Sequence, residues 1–264
     1  MLFNSIEFAL FLPIVFLLYW FLFQRNLRWQ NLFIVGVSYL FYGWWDWRFL
    51  VLIAFTSFCS WGSGLLIQRY RHRSLAKLVH ITNITLNLII LDVYRENLKP
   101  TRDIIQFFAF VSYFPQLVAG PIERATNLLP QFEKPRAFDY SQAVDGMRQI
   151  LWGLFKKIAV ADSCAVYVDH VFAAYQSQGG LTLAVAAVLF AFQIYGDFSG
   201  YSDIAIGTSK LFGIKLMRNF NNPYFSRNIA EFWRRWHISL TTWFRDYVYI
   251  PLGGSRPVVP NRLK

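Results

Sequence analysis

The chain has 264 residues, of which 55% are hydrophobic, 19% are aromatic and only 16% are charged. Soluble domains carry about 25% charged residues, so this composition excludes an ordinary soluble globular domain and indicates a membrane protein. The net charge of +11 is no sign of nucleic-acid binding, because the basic residues lie mostly at the ends of apolar runs, where anionic lipid headgroups attract them.

Apolar runs without any Asp, Glu, Lys, Arg or His predict the main helices. They cover residues 8–24, 30–45, 49–68, 104–122 and 171–196. Each is close to the roughly 20 residues that a helix needs to cross a bilayer. Residues 78–91 and 143–160 are weaker candidates, since the first is short and the second contains charged residues. The pattern predicts an all-α, polytopic membrane helix bundle.

Basic residues near the ends of these runs predict the orientation in the membrane. The first run has no basic segment before it and no small-residue cleavage site after it, which indicates a retained helix. Arg25 and Arg28 follow the first run, and a basic loop at 69–77 follows the third, whereas the aromatic segment 42–47 lies between the second and third. The positive-inside rule therefore predicts an outer N-terminus and cytoplasmic basic loops.

Polar residues and prolines interrupt the apolar runs at two places. Segment 114–121 contains two prolines and a glycine, which should break its helix. Asp197 and Asp203 follow the longest apolar run directly. Intramembrane carboxylates usually face a bundle interior or a cavity. The alternative is a loop at the membrane surface, in which Asp197 caps the start of a helix.

A third polar segment, 221–254, combines aromatic and basic residues. Ser226 or Asn228 can start a helix whose apolar face continues to Trp236, with His237 at its edge, so we expect a basic amphipathic helix that lies at the cytoplasmic interface or dips into the protein. Imidazole accepts protons near neutral pH, which makes His237 a candidate general base. The alternative is that these residues only anchor a helix at the interface.

No motif of a soluble enzyme accompanies these segments. The sequence has no Gly-rich phosphate loop, no Gly-x-Ser-x-Gly turn and no His-Glu-x-x-His motif, so it predicts no metal site. It also shows no internal repeat, which favours one membrane domain over residues 1–264.

Several stretches of this sequence resemble the membrane-bound O-acyltransferase (MBOAT) family, and within it the alginate-acetylating branch. They are residues 1–8, 38–45, 113–122, 195–205 and 232–240. The resemblance implies a helical fold around a tunnel in the bacterial inner membrane. It implies that acetyl passes from acetyl-CoA, a substrate rather than a bound cofactor, to hydroxyls of an exported polysaccharide such as alginate. A periplasmic partner protein is implied as well.

The resemblance also suggests roles for residues in the polar segments. His237 matches a histidine of the family motif and would act as the base. Arg234, Arg235 and Arg245 would bind the anionic donor together with Trp236, and Asp197 and Asp203 would orient partners.

The chain departs from the family pattern in two respects. A later Trp-His segment, whose histidine is regarded as the main catalytic one in the family, is missing, and sequence is expected to be deleted near 88–92. We therefore expect a shortened relative. The alternatives to an enzyme are an inactive scaffold in polysaccharide export or a transporter with broken helices, although a transporter should show two matching halves.

Overall fold

A computed structural model describes residues 1–44, 46–69 and 101–254, and within these ranges every regular element is a helix. The predicted all-α class is therefore confirmed. The weak candidate span at 78–91 and the expected deletion near 88–92 lie outside the described residues. The chain divides into two compact units, Met1–Gly120 with Arg124–Leu216 and Pro121–Glu123 with Met217–Lys264. That the whole chain acts as one domain stays a prediction.

Nine described helices, numbered in chain order, build the first unit. They are α1 (Ile6–Leu17), α2 (Leu27–Gly43), α3 (Arg48–Arg69), α4 (Ile104–Val111), α5 (Phe114–Ala119), α6 (Ala125–Glu133), α7 (Tyr140–Leu154), α8 (Ser163–Ala173) and α9 (Gly180–Leu211). Two π-helical segments, Leu18–Leu22 and Phe155–Asp162, extend α1 and join α7 to α8. Side chains of Ser5, Asn26, Asp103 and Asp139 cap α1, α2, α4 and α7, as short polar residues commonly do.

Within the described residues, each of the apolar runs 8–24, 30–45, 49–68 and 104–122 contains helix as predicted. The last of them is interrupted as predicted, because α4 ends at Val111 and α5 begins at Phe114 with Pro115 in its first turn. In the described part of the chain, one helix, α9, is long and apolar enough to cross a bilayer. Ile6–Leu22, Leu50–Leu66 and Ile104–Leu117 are shorter apolar helices.

The fifth run, 171–196, is not one helix, so that part of the prediction was wrong. Its first residues end α8 at Ala173, a 3-10 turn follows at Tyr175–Ser177, and α9 begins only at Gly180. Helix α9 then continues to Leu211, well past Asp197. At about 1.5 Å per residue this 32-residue helix is about 48 Å long, longer than the ~30 Å hydrocarbon core.

Helix α9 has two halves of different character. The half before Gly196 is apolar and exposed, with Leu181 80% exposed. The half from Gly196 onward is rich in small and hydroxyl residues and is buried, with Ser199 1% exposed. This second half packs against α7, and the two helices run antiparallel because Gly146 lies beside Gly207 while Gly153 lies beside Gly200. The long helix therefore offers an apolar outer surface at one end and a polar contact at the other.

An aromatic core joins α1, α2 and α5 in the first unit. The ring centroids of Phe8 and Phe41 lie 6.2 Å apart, and Phe114 approaches Phe41 to 5.3 Å and Phe11 to 5.8 Å. All four rings are buried. Edge-to-face and tilted contacts of this kind add to the free energy gained by burying the rings.

The described part of the second unit contains two short helices, α10 (Ile229–Arg235) and α11 (Ile238–Phe244). A 3-10 turn at Pro223–Phe225 precedes α10, and a π-helical segment, Arg245–Tyr249, follows α11. Asn228 caps α10 by accepting a hydrogen bond from the Glu231 N–H at 2.8 Å, as the sequence allowed. The prediction that one amphipathic helix carries His237 on its edge was wrong, because α10 ends before this residue.

Candidate active site

His237 lies in a turn between α10 and α11, which we call the His237 turn (residues 235–239). Its backbone has φ 43° and ψ 55°, in the left-handed region that few residues other than glycine adopt. Two main-chain hydrogen bonds hold the turn: the Asn221 N–H donates to the Arg235 carbonyl at 2.9 Å, and the Ile238 N–H donates to the Asn219 carbonyl at 2.8 Å. The direction of the chain at His237 is therefore fixed by a segment some 18 residues earlier.

The His237 imidazole lies beside the aromatic ring of Phe220. Phe220 stacks on it with an interplanar angle of 16° and a centroid distance of 6.4 Å, and the Trp236 ring meets Phe220 edge-on at 5.1 Å. Half-burial of the imidazole lowers the pKa of His237 below its ordinary value. Since burial disfavours the charged form, the side chain is neutral at pH 7 and can accept a proton.

A cavity of about 390 Å³ lies on α10 and the segment before it. It is lined by Asn221, Arg227, Asn228, Glu231, Arg234 and Arg235. Glu231 accepts hydrogen bonds from the Arg227 N–H at 3.0 Å and from the Arg235 guanidinium. The bond from the Arg227 N–H lowers the pKa of Glu231, so the carboxylate stays ionised. Three guanidinium groups around one carboxylate leave the cavity positive, which suits an anionic group.

Arg245 lies elsewhere in the second unit. It begins the π-helical segment after α11 and forms a two-point ion pair with Asp246, with distances of 2.7 and 3.2 Å. This pairing raises the pKa of Arg245. Arg245 lines a different cavity, of about 640 Å³, whose other walls are mostly apolar: Phe244, Val248, Tyr249, Leu252 and Gly254. The structure thus brings Arg234, Arg235, Trp236 and His237 together, whereas Arg245 faces another cavity.

Asp197 and Asp203 belong to the first unit, inside α9. Asp203 accepts hydrogen bonds from the Lys156 ammonium and from the Gln149 amide at 2.8 Å. Asp197 pairs with Lys157 at 2.6 Å. The reading of Asp197 as a helix cap in a surface loop was wrong, because helix continues on both sides of it. Both carboxylates pair with residues of α7 or its π-helical extension, but the Asp197 side chain is 46% exposed and that of Asp203 is 22% exposed, so Asp203 is the one that fits the bundle-interior alternative.

Sequence reasoning missed the partners of these residues. In the sequence Lys156 and Lys157 only interrupt the apolar run 143–160, although opposite charges in two neighbouring apolar helices can indicate a pair. For Asn219 and Ser239, which support the His237 turn, no local pattern in the sequence gives a signal, because their contacts depend on how distant segments meet.

Comparison with known proteins adds evidence from the whole chain. Residues 72–264 match the sequence profile of the MBOAT, membrane-bound O-acyltransferase family. The chain is 38% identical to a Pseudomonas fluorescens protein named "Probable alginate O-acetylase AlgI", over 97% of this chain and 58% of the relative. A peptidoglycan O-acetyltransferase of Helicobacter pylori is 43% identical over 58% of this chain and 29% of its own length. A teichoic acid D-alanyltransferase of Streptococcus thermophilus is 34% identical over 56% of this chain and 37% of its own length.

The relatives that this chain matches are longer than the chain itself. The chain spans 58 to 62% of the alginate O-acetylase relatives that it matches. The alignment with the Pseudomonas fluorescens relative runs over 291 positions, more than the 264 residues of this chain, so that relative has sequence within the aligned span that this chain lacks. Where this difference lies stays a prediction.

The profile match covers more than half of the chain and includes the His237 turn. The alginate O-acetylase relative extends the similarity over almost all of it. An all-helical fold with a long apolar helix agrees with both findings. This chain therefore belongs to the membrane-bound O-acyltransferase family.

Proposed function

We propose that the chain is part or all of a membrane O-acyltransferase that moves an acetyl group from acetyl-CoA to hydroxyls of an exported polysaccharide, with alginate as the first candidate. The names of the relatives support acyl transfer to cell-surface polymers. The observation that carries the proposal is the His237 turn, where a neutral imidazole lies two residues from a cavity rich in arginine.

In the proposed reaction His237 acts as the general base. It removes the proton of the acceptor hydroxyl while the oxygen attacks the carbonyl carbon of the thioester. Collapse of the tetrahedral intermediate breaks the carbon–sulfur bond, and the thiolate takes the proton back from the imidazolium. The products are an O-acetyl ester and a free thiol. Nearby hydrogen-bond donors or cations stabilise the oxyanion between the two steps.

The donor is held by positive charge in this proposal. Arg234 and Arg235 line the positive cavity and bind phosphate groups of the donor, while Trp236 borders the same turn. Arg245 gives a second point of contact from its apolar cavity. Asp197 and Asp203 act indirectly, by orienting Lys157 and Lys156.

The proposal includes the setting of the protein. The chain crosses the bacterial inner membrane several times with its N-terminus outside, the amphipathic segments lie at the cytoplasmic interface, and acceptor and donor reach the site from opposite sides. Exposed apolar residues on α9 and α1, such as Leu181 and Ile6, support contact with lipid. A periplasmic partner completes delivery of the acetyl group to the polymer.

The test is transfer of labelled acetyl from acetyl-CoA to alginate in membranes that carry this chain. It is run with the chain alone and with the C-terminal part of a matching alginate O-acetylase supplied as a second polypeptide. Label on the polymer in the first arm supports a chain that is active by itself. Label only in the second arm supports the same function in an enzyme that needs further sequence. Absence of label in both arms, with the chain present in the membrane, contradicts the proposal.

A further inference from the structure

Helix α11 begins without help from its own capping residue. His237 occupies the N-cap position, but its side chain makes no capping hydrogen bond. The first N–H groups of a helix have no partner within the helix, and a short polar side chain at the N-cap usually accepts from them. A histidine in the left-handed conformation does not do so here, and another residue takes over that role.

Asn219 supplies the missing acceptors from 18 residues earlier in the chain. Its main-chain carbonyl accepts from the Ile238 N–H at 2.8 Å. Its side-chain Oδ1 accepts from the Ser239 hydroxyl at 2.9 Å and from the Ser239 N–H at 3.4 Å. Asn219 and Ser239 are both buried, so these bonds are shielded from water.

A third segment completes the support. The Ile122 N–H donates to the Ser239 hydroxyl oxygen at 3.0 Å, so this hydroxyl both donates to Asn219 and accepts from Ile122. Next to Ile122, the Glu123 carboxylate accepts from the Met217 N–H. Two non-helical segments, 121–123 and 217–221, therefore form hydrogen bonds with the His237 turn.

We propose that Asn219 is a positioning residue that fixes the His237 imidazole for proton transfer, an inference that rests on the proposed function. It replaces the cap that His237 would otherwise supply and leaves the imidazole to the reaction. Its neighbour Phe220 lies nearly parallel to the imidazole at a centroid distance of 6.4 Å, so displacement of Asn219 moves the ring beside the base. The role needs no contact between Asn219 and substrate.

The first experiment compares Asn219→Ala with the unchanged protein in the acetyl-transfer assay, in whichever arm shows transfer. Loss of the Oδ1 acceptor should lower kcat by about 10- to 100-fold, because small displacements of a catalytic group have effects of this size. The KM for acetyl-CoA should change by less than about twofold, since the donor cavity is untouched. Turnover is expressed per molecule of protein recovered from the membrane, which removes any effect on folding yield.

Two further variants test the specific link. Asn219→Asp keeps an acceptor oxygen and should recover most of the lost kcat. Ser239→Ala removes the hydroxyl that donates to Asn219 and accepts from Ile122, so it should also lower kcat, and the loss in the double variant with Asn219→Ala should be smaller than the product of the two single losses. Asn222→Gly is the matched control: Asn222 is exposed and also has a positive φ, of 47°, so glycine should leave turnover unchanged.

The results separate this inference from the function on which it rests. If His237→Asn is inactive while Asn219→Ala keeps its kcat per molecule, the positioning role is wrong and the proposed function stands. If His237→Asn is fully active, His237 is not the general base, and the positioning role of Asn219 is overturned with it. If Asn219→Ala and Asn219→Asp lose kcat to the same extent, the acceptor bond is not the cause and the inference is overturned.

Discussion

Lys156 and Asp203 form a charged pair that is unusual for its surroundings. Lys156 is buried, and its ammonium donates to the Ser199 hydroxyl at 3.0 Å as well as to Asp203. The Tyr195 ring lies 5.7 Å from the same ammonium. A charge in such a place is tolerated only when its partner and its hydrogen bonds are present. The pair explains why α9 carries carboxylates directly after an apolar half.

Removing one partner should therefore lower the free energy of unfolding more than removing both partners. We expect Asp203→Asn to lower the free energy of unfolding by about 2–3 kcal/mol, because Lys156 keeps its charge without a counter-ion. Lys156→Met combined with Asp203→Leu should regain most of this loss. Thermal unfolding of the detergent-solubilised protein measures both.

The same two variants test whether Asp203 and Lys156 contribute to acetyl transfer. In the double variant, a transfer rate below that of the unchanged protein supports an indirect role of the pair, since stability has been regained. A single Asp203→Asn variant as stable as the unchanged protein contradicts the assignment of the pair as a buried, coupled unit.

The contact between α7 and α9 depends on glycines at a spacing of seven residues in both helices. A Cβ added at Gly153 would lie 2.6 Å from the Gly200 carbonyl oxygen, and one added at Gly146 would lie 2.7 Å from the Gly207 carbonyl oxygen. The backbones of the two helices approach closely at both glycine pairs, as small residues allow between membrane helices. This close approach brings Lys156 and Lys157 within reach of Asp203 and Asp197.

Gly153→Ala should therefore separate the helices. We expect a loss of about 1–3 kcal/mol, the usual cost of adding a methyl group to a packed contact, measured as a lower unfolding temperature. Gly36→Ala is the matched control, because a Cβ at Gly36 of α2 meets nothing within 4 Å. It should be neutral or stabilising, since alanine favours helix over glycine. Equal destabilisation by both variants would show that the α7–α9 contact is not the cause.

Elements with a local cause could be predicted from the sequence. Long uncharged runs predicted helices α1, α2 and α3, and Pro115 predicted the interruption between α4 and α5. The break between α8 and α9 was missed because the run 171–196 was defined only by its lack of charged residues and histidine, although the polar stretch 175–180, which ends in Gly179 and Gly180, marks the place. Apolar periodicity alone cannot locate such a break.

The His237 turn shows what sequence periodicity cannot supply. Aromatic residues at helical spacing indicated one helix that continues to Trp236, and the role of His237 as a base stays a prediction. The left-handed conformation of His237 is held instead by two main-chain hydrogen bonds, one accepted by the Asn219 carbonyl and one donated by the Asn221 N–H. Distant contacts overrode local propensity at the residue on which the proposed chemistry depends.

At the scale of the whole molecule, family membership and architecture agree. The chain matches a family of membrane acyltransferases, its described part is all-helical, and α9 is long enough to span a bilayer. The relatives that it matches are longer, with the chain covering 58 to 62% of the alginate O-acetylases. Activity, substrate and partner are for these reasons properties to be measured on this chain itself.

The central claim is that a neutral His237 serves as the base in acyl transfer. The measurement that tests it most directly is the pH dependence of kcat/KM for acetyl transfer, with His237→Asn as the comparison. Asparagine tolerates the left-handed backbone, so this variant removes the base with little strain. Burial lowers the pKa of His237, and activity requires the unprotonated form. Activity should thus fall on acidification with a midpoint below the ordinary histidine value of about 6.5.

We predict this decrease in kcat/KM at low pH for the unchanged protein, and a kcat/KM at least about 100-fold lower in His237→Asn. A midpoint above the ordinary value, or full turnover in His237→Asn, would contradict the account.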